Sequence, residues 1–181
     1  MQSSGGGSKM LSKRRKLSMV GAGLLVLGFL SGGSAAAHFY PVQGPLASQT
    51  APPVFGGRLT AHADMRSGTF SAALGEGETF KGTLVLVGSG PKRRMGQSET
   101  PQPDLDGMDK VWDLVFGSGY YQAHVLGDGQ YGRAAITGSK GTLLQIEIHS
   151  SVSRTSGGTQ VSQPLGVARD SRGNVYKVVV G

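Results

Sequence analysis

Cysteine is absent from all 181 residues. No disulfide, thiolate nucleophile or cysteine-ligated metal can therefore belong to this chain. Histidine is scarce, with four residues at 38, 62, 124 and 149, and no H-x-x-x-H or H-E-x-x-H spacing occurs. A zinc site would have to recruit His62, His124 or His149 from separate strands. No G-x-S-x-G elbow marks a serine hydrolase. No uninterrupted apolar run reaches the roughly 20 residues of a membrane-spanning helix. The longest, residues 17–30, has 14.

That run sits behind Lys13-Arg14-Arg15-Lys16 and ahead of small residues through Ala35-Ala36-Ala37. Basic, then apolar, then small is the order of a secretory signal segment. Residues 1–37 read as that segment, with cleavage expected after Ala37 to leave His38 as the new N-terminus. The alternative is a retained anchor, because residues 17–37 carry no charge. In that case the only membrane contact is through 17–37.

The whole chain carries a net charge of +7. Five of its cations lie at positions 9 and 13–16, and residues 1–37 contain no acid. Beyond the leader, 13 basic residues face 11 acidic ones, a net +2. That is an ordinary solubility balance and does not imply a polyanion partner, so no nucleic-acid partner is expected.

The remainder is rich in glycine, 31 in the whole chain, and poor in long helical patterns. Residues 38–53 hold Pro41, Pro45, Pro52 and Pro53 and read as an extended segment. Residues 54–181 read as one β-rich domain. Strands are expected near 54–63, 69–74, 79–87, 120–126, 131–137, 142–149, 165–169 and 175–180, with Gly56-Gly57 as a bulge or bend. Apolar alternation is plain at Phe70, Ala72, Leu74 and at Leu144, Ile146, Ile148. Gly75-Glu76-Gly77 and Asp170-Ser171-Arg172-Gly173-Asn174 read as turns. Long loops are expected at 89–109 and 150–163. Asp109 is a plausible N-cap for a short helix over 110–116, with a strand as the competing reading. The fold class is mainly β: an antiparallel barrel or sandwich of seven or eight strands with one short helix. Lys81-Gly82-Thr83-Leu84 and Lys140-Gly141-Thr142-Leu143 echo each other, a match that is too short to mark a duplicated hairpin and that chance or shared turn chemistry accounts for.

Several stretches resemble a group of small exported bacterial proteins of unknown function. They are Tyr40-Pro41-Val42-Gln43-Gly44-Pro45-Leu46, Val111-Trp112-Asp113 with Gly117-Ser118-Gly119, Ala123-His124-Val125-Leu126-Gly127, Gly166-Val167-Ala168 and Gly173-Asn174-Val175-Tyr176-Lys177. The resemblance implies a bacterial envelope location, in the periplasm or on the cell surface. It supplies no activity and no site residues.

Gly127-Asp128-Gly129-Gln130-Tyr131-Gly132 matches G-x-G-x-x-G. A dinucleotide fingerprint needs a strand before it and a helix after it. Two strands flank it here, so it reads as a hairpin turn, and no cofactor is expected. Asp104, Asp106 and Asp109 cluster carboxylates in a loop and are the candidates for a hard cation. The spacing departs from an EF-hand. Lys92, Arg93 and Arg94 form a basic patch suited to lipid headgroups or a polyanion. Trp112, Phe116, Tyr120 and Tyr121 could build a ligand surface or a core. The leading functional reading is a non-enzymatic binding or structural module, whose partner would be an envelope protein, a glycan or a lipid headgroup. One alternative is an envelope-polymer hydrolase using Asp113, His124 and Glu147. The other is a small outer-membrane barrel, which needs strands of about 9–11 residues.

Overall fold

The computed structural model describes residues 33–61, 67–87, 105–126, 129–155, 158–161 and 164–181. Among these residues nine strands run β1 (Ser34–Gln43), β2 (Phe55–Ala61), β3 (Ser67–Leu74), β4 (Glu78–Val87), β5 (Gly129–Thr137), β6 (Leu143–Thr155), β7 (Gly158–Val161), β8 (Leu165–Asp170) and β9 (Val175–Val180). Helix α1 (Met108–Phe116) and a π-helical turn (Tyr121–Val125) fall between β4 and β5. A 3-10 turn, Gly75–Gly77, joins β3 to β4.

Every pairing is antiparallel. Strands β1 to β6, then β8 and β9, each pair with the next, and β9 pairs back onto β1. The sheet therefore closes into an eight-stranded barrel, which leaves no free edge around its circumference. β7 stands outside the ring, paired only with the far end of β6. Residues 152–155 and 158–161, within the stretch expected as a loop, thus pair as an antiparallel extension of the barrel. β1 takes in residues 34–37 as well as 38–43, so strand pairing begins ahead of His38.

Side chains alternate across each strand. Inward positions supply one core that includes Phe39, Leu59, Phe70, Phe80, Leu144, Ile146, Tyr176 and Val178. Phe39 makes edge contacts with Phe70 and Tyr176, at centroid separations of 5.8 and 6.2 Å. Gly57 is in register with Ala72 and forms no bulge. A Cβ there would lie 3.0 Å from the Phe39 ring and 2.9 Å from the Ser71 carbonyl, so glycine makes room for the ring. The register shift lies instead in β1, between Pro41 and Gln43.

The outer surface has two halves. Outward positions of β2 to β4, among them Arg58, Thr69, Lys81 and Thr83, are mostly polar and largely exposed. Outward positions of β6, β8 and β9 are covered by the helical excursion. There Leu105, Met108, Val111, Trp112 and Val125 bury Val167 and Val175 in a second core. The helix begins two residues earlier than the Asp109 cap predicts. Its N-cap is Gly107 at φ 77°, without a side-chain hydrogen bond, and Asp109 lies in the first turn. Residues 120–126, expected as a strand, form the π-helical turn instead. The cause is Asp113, whose two carboxylate oxygens accept the amides of Gly119 at 3.0 Å and Tyr121 at 3.1 Å. That local capture overrides the strand propensity of Tyr120, Tyr121 and Val125.

Candidate functional site

One end of the barrel is formed where the β3–β4, β5–β6 and β8–β9 turns meet the chain leaving β1. A cavity of about 250 Å³ opens there. Leu46, Leu74, Phe80 and Tyr176 form its apolar walls, and Glu76, Glu78, Asp170, Arg172 and Asn174 are its polar lining.

Glu78 occupies an inward position in phase with Phe80 and Leu84, and it is buried. Its carboxylate accepts the amides of Lys140 and Thr142, each at 3.0 Å, and the Thr142 hydroxyl at 2.6 Å. The Arg172 guanidinium lies 3.2 Å away. Burial pushes the Glu78 carboxyl up, but Thr142, the Lys140 amide and Arg172 together hold it below the usual carboxylate range. Gly138 serves this arrangement, because a Cβ there would sit 2.5 Å from the Glu78 carboxylate. Arg172 also pairs with Glu76 at 2.8 Å, and Lys140 Nζ donates to the Glu76 carbonyl.

A second network abuts the first. Asp170 accepts the amides of Arg172 and Asn174, the Asn174 side-chain amide and the Tyr176 hydroxyl. Asn174 Oδ1 in turn accepts the Leu46 amide at 2.9 Å, tying the segment after β1 to the β8–β9 turn. Burial, and then the bond to Asp170, push the Tyr176 phenol far above its ordinary range. It stays neutral and donates. Three carboxylates and one guanidinium line this cavity, with no histidine among them. Glu78 and Asp170 are already held by donors, so the arrangement suits binding better than proton transfer. Its net negative lining favours a cationic or donor-rich ligand.

No family model, curated protein or solved structure matches the chain.

The residues that sequence reasoning singled out lie elsewhere. Trp112 is buried and stacks on Phe116 and Tyr120 at 5.3 and 5.9 Å. Phe116 and Tyr120 stack at 4.7 Å, and Lys177 Nζ lies 5.4 Å from the Phe116 centroid. Tyr121 accepts a hydrogen bond from Arg133 at 3.1 Å. These aromatics are chiefly the second core. Phe116 and Tyr120 also border a shallow depression of about 200 Å³, together with His124.

Of the proposed catalytic trio, Asp113 is committed to the Gly119 and Tyr121 amides, which hold its carboxyl below the ordinary value. His124 is on the π-helical turn rather than in a strand, exposed, with its ring tilted against Tyr120 at 4.5 Å. Glu147 is fully buried on the outward face of β6, under the excursion. Neither Asp113 nor Glu147 borders the depression that His124 lines.

Glu147 has neighbours of its own. Arg133 lies opposite it in register, with Nη2 3.4 Å from Oε1. His149, two residues on, meets Trp112 edge to face at 6.4 Å. Glu147 Oε2, His149 Nε2 and Trp112 Nε1 are buried, and none makes a hydrogen bond of good geometry among the described residues, although the Trp112 N–H lies close enough to Glu147 to favour its charged form. Burial raises the Glu147 carboxyl against the pull of Arg133 and Trp112, with Asp109 adding to the rise. Burial, then His124, lowers His149.

Lys92, Arg93, Arg94 and Asp104 lie outside the described residues. The Asp106 carbonyl accepts Arg169 at 2.5 Å, and Asp109 is exposed. Among the described residues no group of three or more acidic or histidine side chains could hold a metal. The G-x-G-x-x-G stretch runs into β5, so the helix that a dinucleotide site needs after it is not there. Lys81 sits within β4, whereas Lys140 lies in the turn before β6, so the Lys-Gly-Thr-Leu echo has two different settings.

Sequence reasoning missed the barrel-mouth set. A legible signal existed in Glu78, which shares the parity of Phe80 and Leu84 and so places a carboxylate at an inward position.

Proposed function

We propose that this is an exported protein of the bacterial envelope that works by binding rather than catalysis, and that the barrel mouth takes a small ligand. The leader pattern and the resemblance to small exported proteins support the location. The observation that carries the binding reading is the mouth cavity, where apolar walls stand beside a net-negative polar lining. A concave apolar site with a few convergent polar groups is the usual form of a ligand pocket. At about 250 Å³ it falls below the roughly 300–1,000 Å³ of sites for drug-sized molecules. The ligand is therefore small, with an apolar body against Phe80 and Tyr176 and a cationic or donor-rich head near Glu76 and Glu78.

The outer-membrane alternative is disfavoured by side-chain polarity. Membrane barrels turn apolar residues outward and polar ones inward. Here Phe70 and Phe80 point in, and Thr69 and Lys81 point out.

The test is calorimetric titration of the purified protein with matched sets of small aromatic and aliphatic amines, alcohols and carboxylates. Amines are expected to bind best, with affinity falling as salt rises. A preference for carboxylates, or no binding in any set, would refute the ligand assignment.

A further inference from the structure

The cleavage motif that looks best in sequence, Ala35-Ala36-Ala37, is built into the barrel. β1 is the seam strand, held by β2 on one side and β9 on the other. Its register with β2 has six partner pairs, and residues 34–37 make four of them: Ser34↔Thr60, Ala35↔Leu59, Ala36↔Arg58 and Ala37↔Gly57. Ala37 also faces Val180 on β9, and the Ala36 carbonyl accepts the amide of Gly181 at 3.0 Å. Ala37 is fully buried in the inner core, and Ala35 packs against that core.

A cut after Ala37 would delete this half of the seam. β2 would lose most of its partner and present a bare edge over 57–60. Unpaired backbone groups and an open edge are what a closed barrel avoids. Leu59 and Val180, both buried, would lose the alanines beside them. The small size of those alanines has a packing cause, since they share the inner layer with Phe39, Phe70 and Tyr176. They need no processing role to explain them.

Another pair of small residues lies just upstream. Ser31 and Gly33 stand at the −3 and −1 positions relative to the Gly33–Ser34 bond, directly after the apolar run. We propose that Gly33–Ser34 is the bond processed on export, so that residues 34–37 stay with the mature barrel as the start of β1. Hydrolysis adds water across that peptide bond. The Gly33 carbonyl carbon gains the hydroxyl and leaves as the carboxylate of the leader, and the proton goes to the Ser34 nitrogen. Ser34 is exposed at the end of the barrel opposite the ligand cavity, where a new ammonium group is readily solvated.

This inference rests on the export reading, and one experiment separates the two. The full chain is expressed in a Gram-negative host, fractionated, and its intact mass and N-terminal sequence are measured in each fraction. A periplasmic or membrane-associated protein beginning at Ser34 is the expected result. An envelope protein beginning at His38, at any other residue after Ser34, or with its leader retained would overturn the processing site while leaving export standing. A full-length protein confined to the cytoplasm would refute export, and the processing site with it. Replacing Gly33 by Tyr supplies a second readout outside the folded barrel. A bulky −1 residue is expected to block maturation, and normal processing of that variant would refute the assignment.

Discussion

Arg133 and Glu147 face each other across the β5–β6 ladder on the outside of the barrel, 3.4 Å apart, beneath the helical excursion. Glu147 is wholly buried, whereas the Arg133 side chain keeps 19% exposure. The pair is thus a carboxylate under cover with its counter-ion at the rim. Removing the cation leaves the carboxyl without that neighbour. Arg133→Met is expected to cost about 3 kcal/mol, at the low end for a broken buried pair because Glu147 can take up a proton. Glu147→Gln removes the charge and keeps the shape, and is expected to cost about 1 kcal/mol or less. Urea unfolding of both variants checks the order, and an equal or reversed cost would refute it.

His149 makes stability depend on pH in a set direction. Its folded-state pKa lies below 6.5, so between that lowered value and 6.5 the unfolded chain binds more protons. Stability therefore falls as pH drops below about 6.5 and levels off beneath the folded value. Glu147 acts in the opposite sense, because its folded pKa is raised above 4.5 and the native state holds the extra proton as pH falls toward 4.5. The groups bearing on this cluster among the described residues are Arg133 from β5, Asp109 from α1 and His124 from the π-helical turn. His149→Gln should flatten the decline just below pH 6.5 and leave the Glu147 contribution in place. Urea midpoints from pH 8 to 4.5 measure it.

Glu78 governs a lower window. Its folded pKa is held below 4.5, so its contribution is complete above 4.5 and is lost as pH falls through the folded value. Glu78→Ala leaves the Thr142 amide and hydroxyl unpaired in a buried site, and is expected to cost about 2 kcal/mol. The same variant should weaken amine binding at the mouth. Acid titration of stability, with calorimetry on the variant, tests both.

Trp112 is the sole tryptophan and lies beneath the excursion, so its emission reports docking of α1 alone. Asp113→Ala frees the Gly119 and Tyr121 amides that hold the π-helical turn. Greater acrylamide quenching of Trp112, with the far-ultraviolet β signal kept, is the expected result. Unchanged quenching would show that the second core holds the turn without Asp113.

Much of the barrel was legible in sequence because strand signals are local. The alternation at Phe70, Ala72, Leu74 and at Leu144, Ile146, Ile148 names its own inward face, and Gly75-Glu76-Gly77 names its own turn. The helix near 110–116 was legible for the same reason. Residues 120–126 were not, since their outcome turns on a carboxylate several residues upstream. The pairing of 152–155 with 158–161 was hidden because serine, threonine and glycine carry little apolar alternation.

The site was less legible than the fold. Gln145, Glu147 and His149 alternate with the inward residues of β6, and only the excursion laid over β6 makes the last two buried groups with displaced pKa values. The barrel mouth draws Glu78, Asp170 and Arg172 from two distant turns, and no spacing in the chain announces their meeting. Sequence alone determined the absence of thiol chemistry, the leader pattern and the antiparallel alternation, because each is a property of residue type or of near neighbours. Tertiary structure alone decided that the sheet closes into a barrel, that the alanines at 35–37 lie in its seam, and which charges lose their water. Those outcomes depend on which segments pair and what covers them, and pairing across more than a hundred residues leaves no local mark.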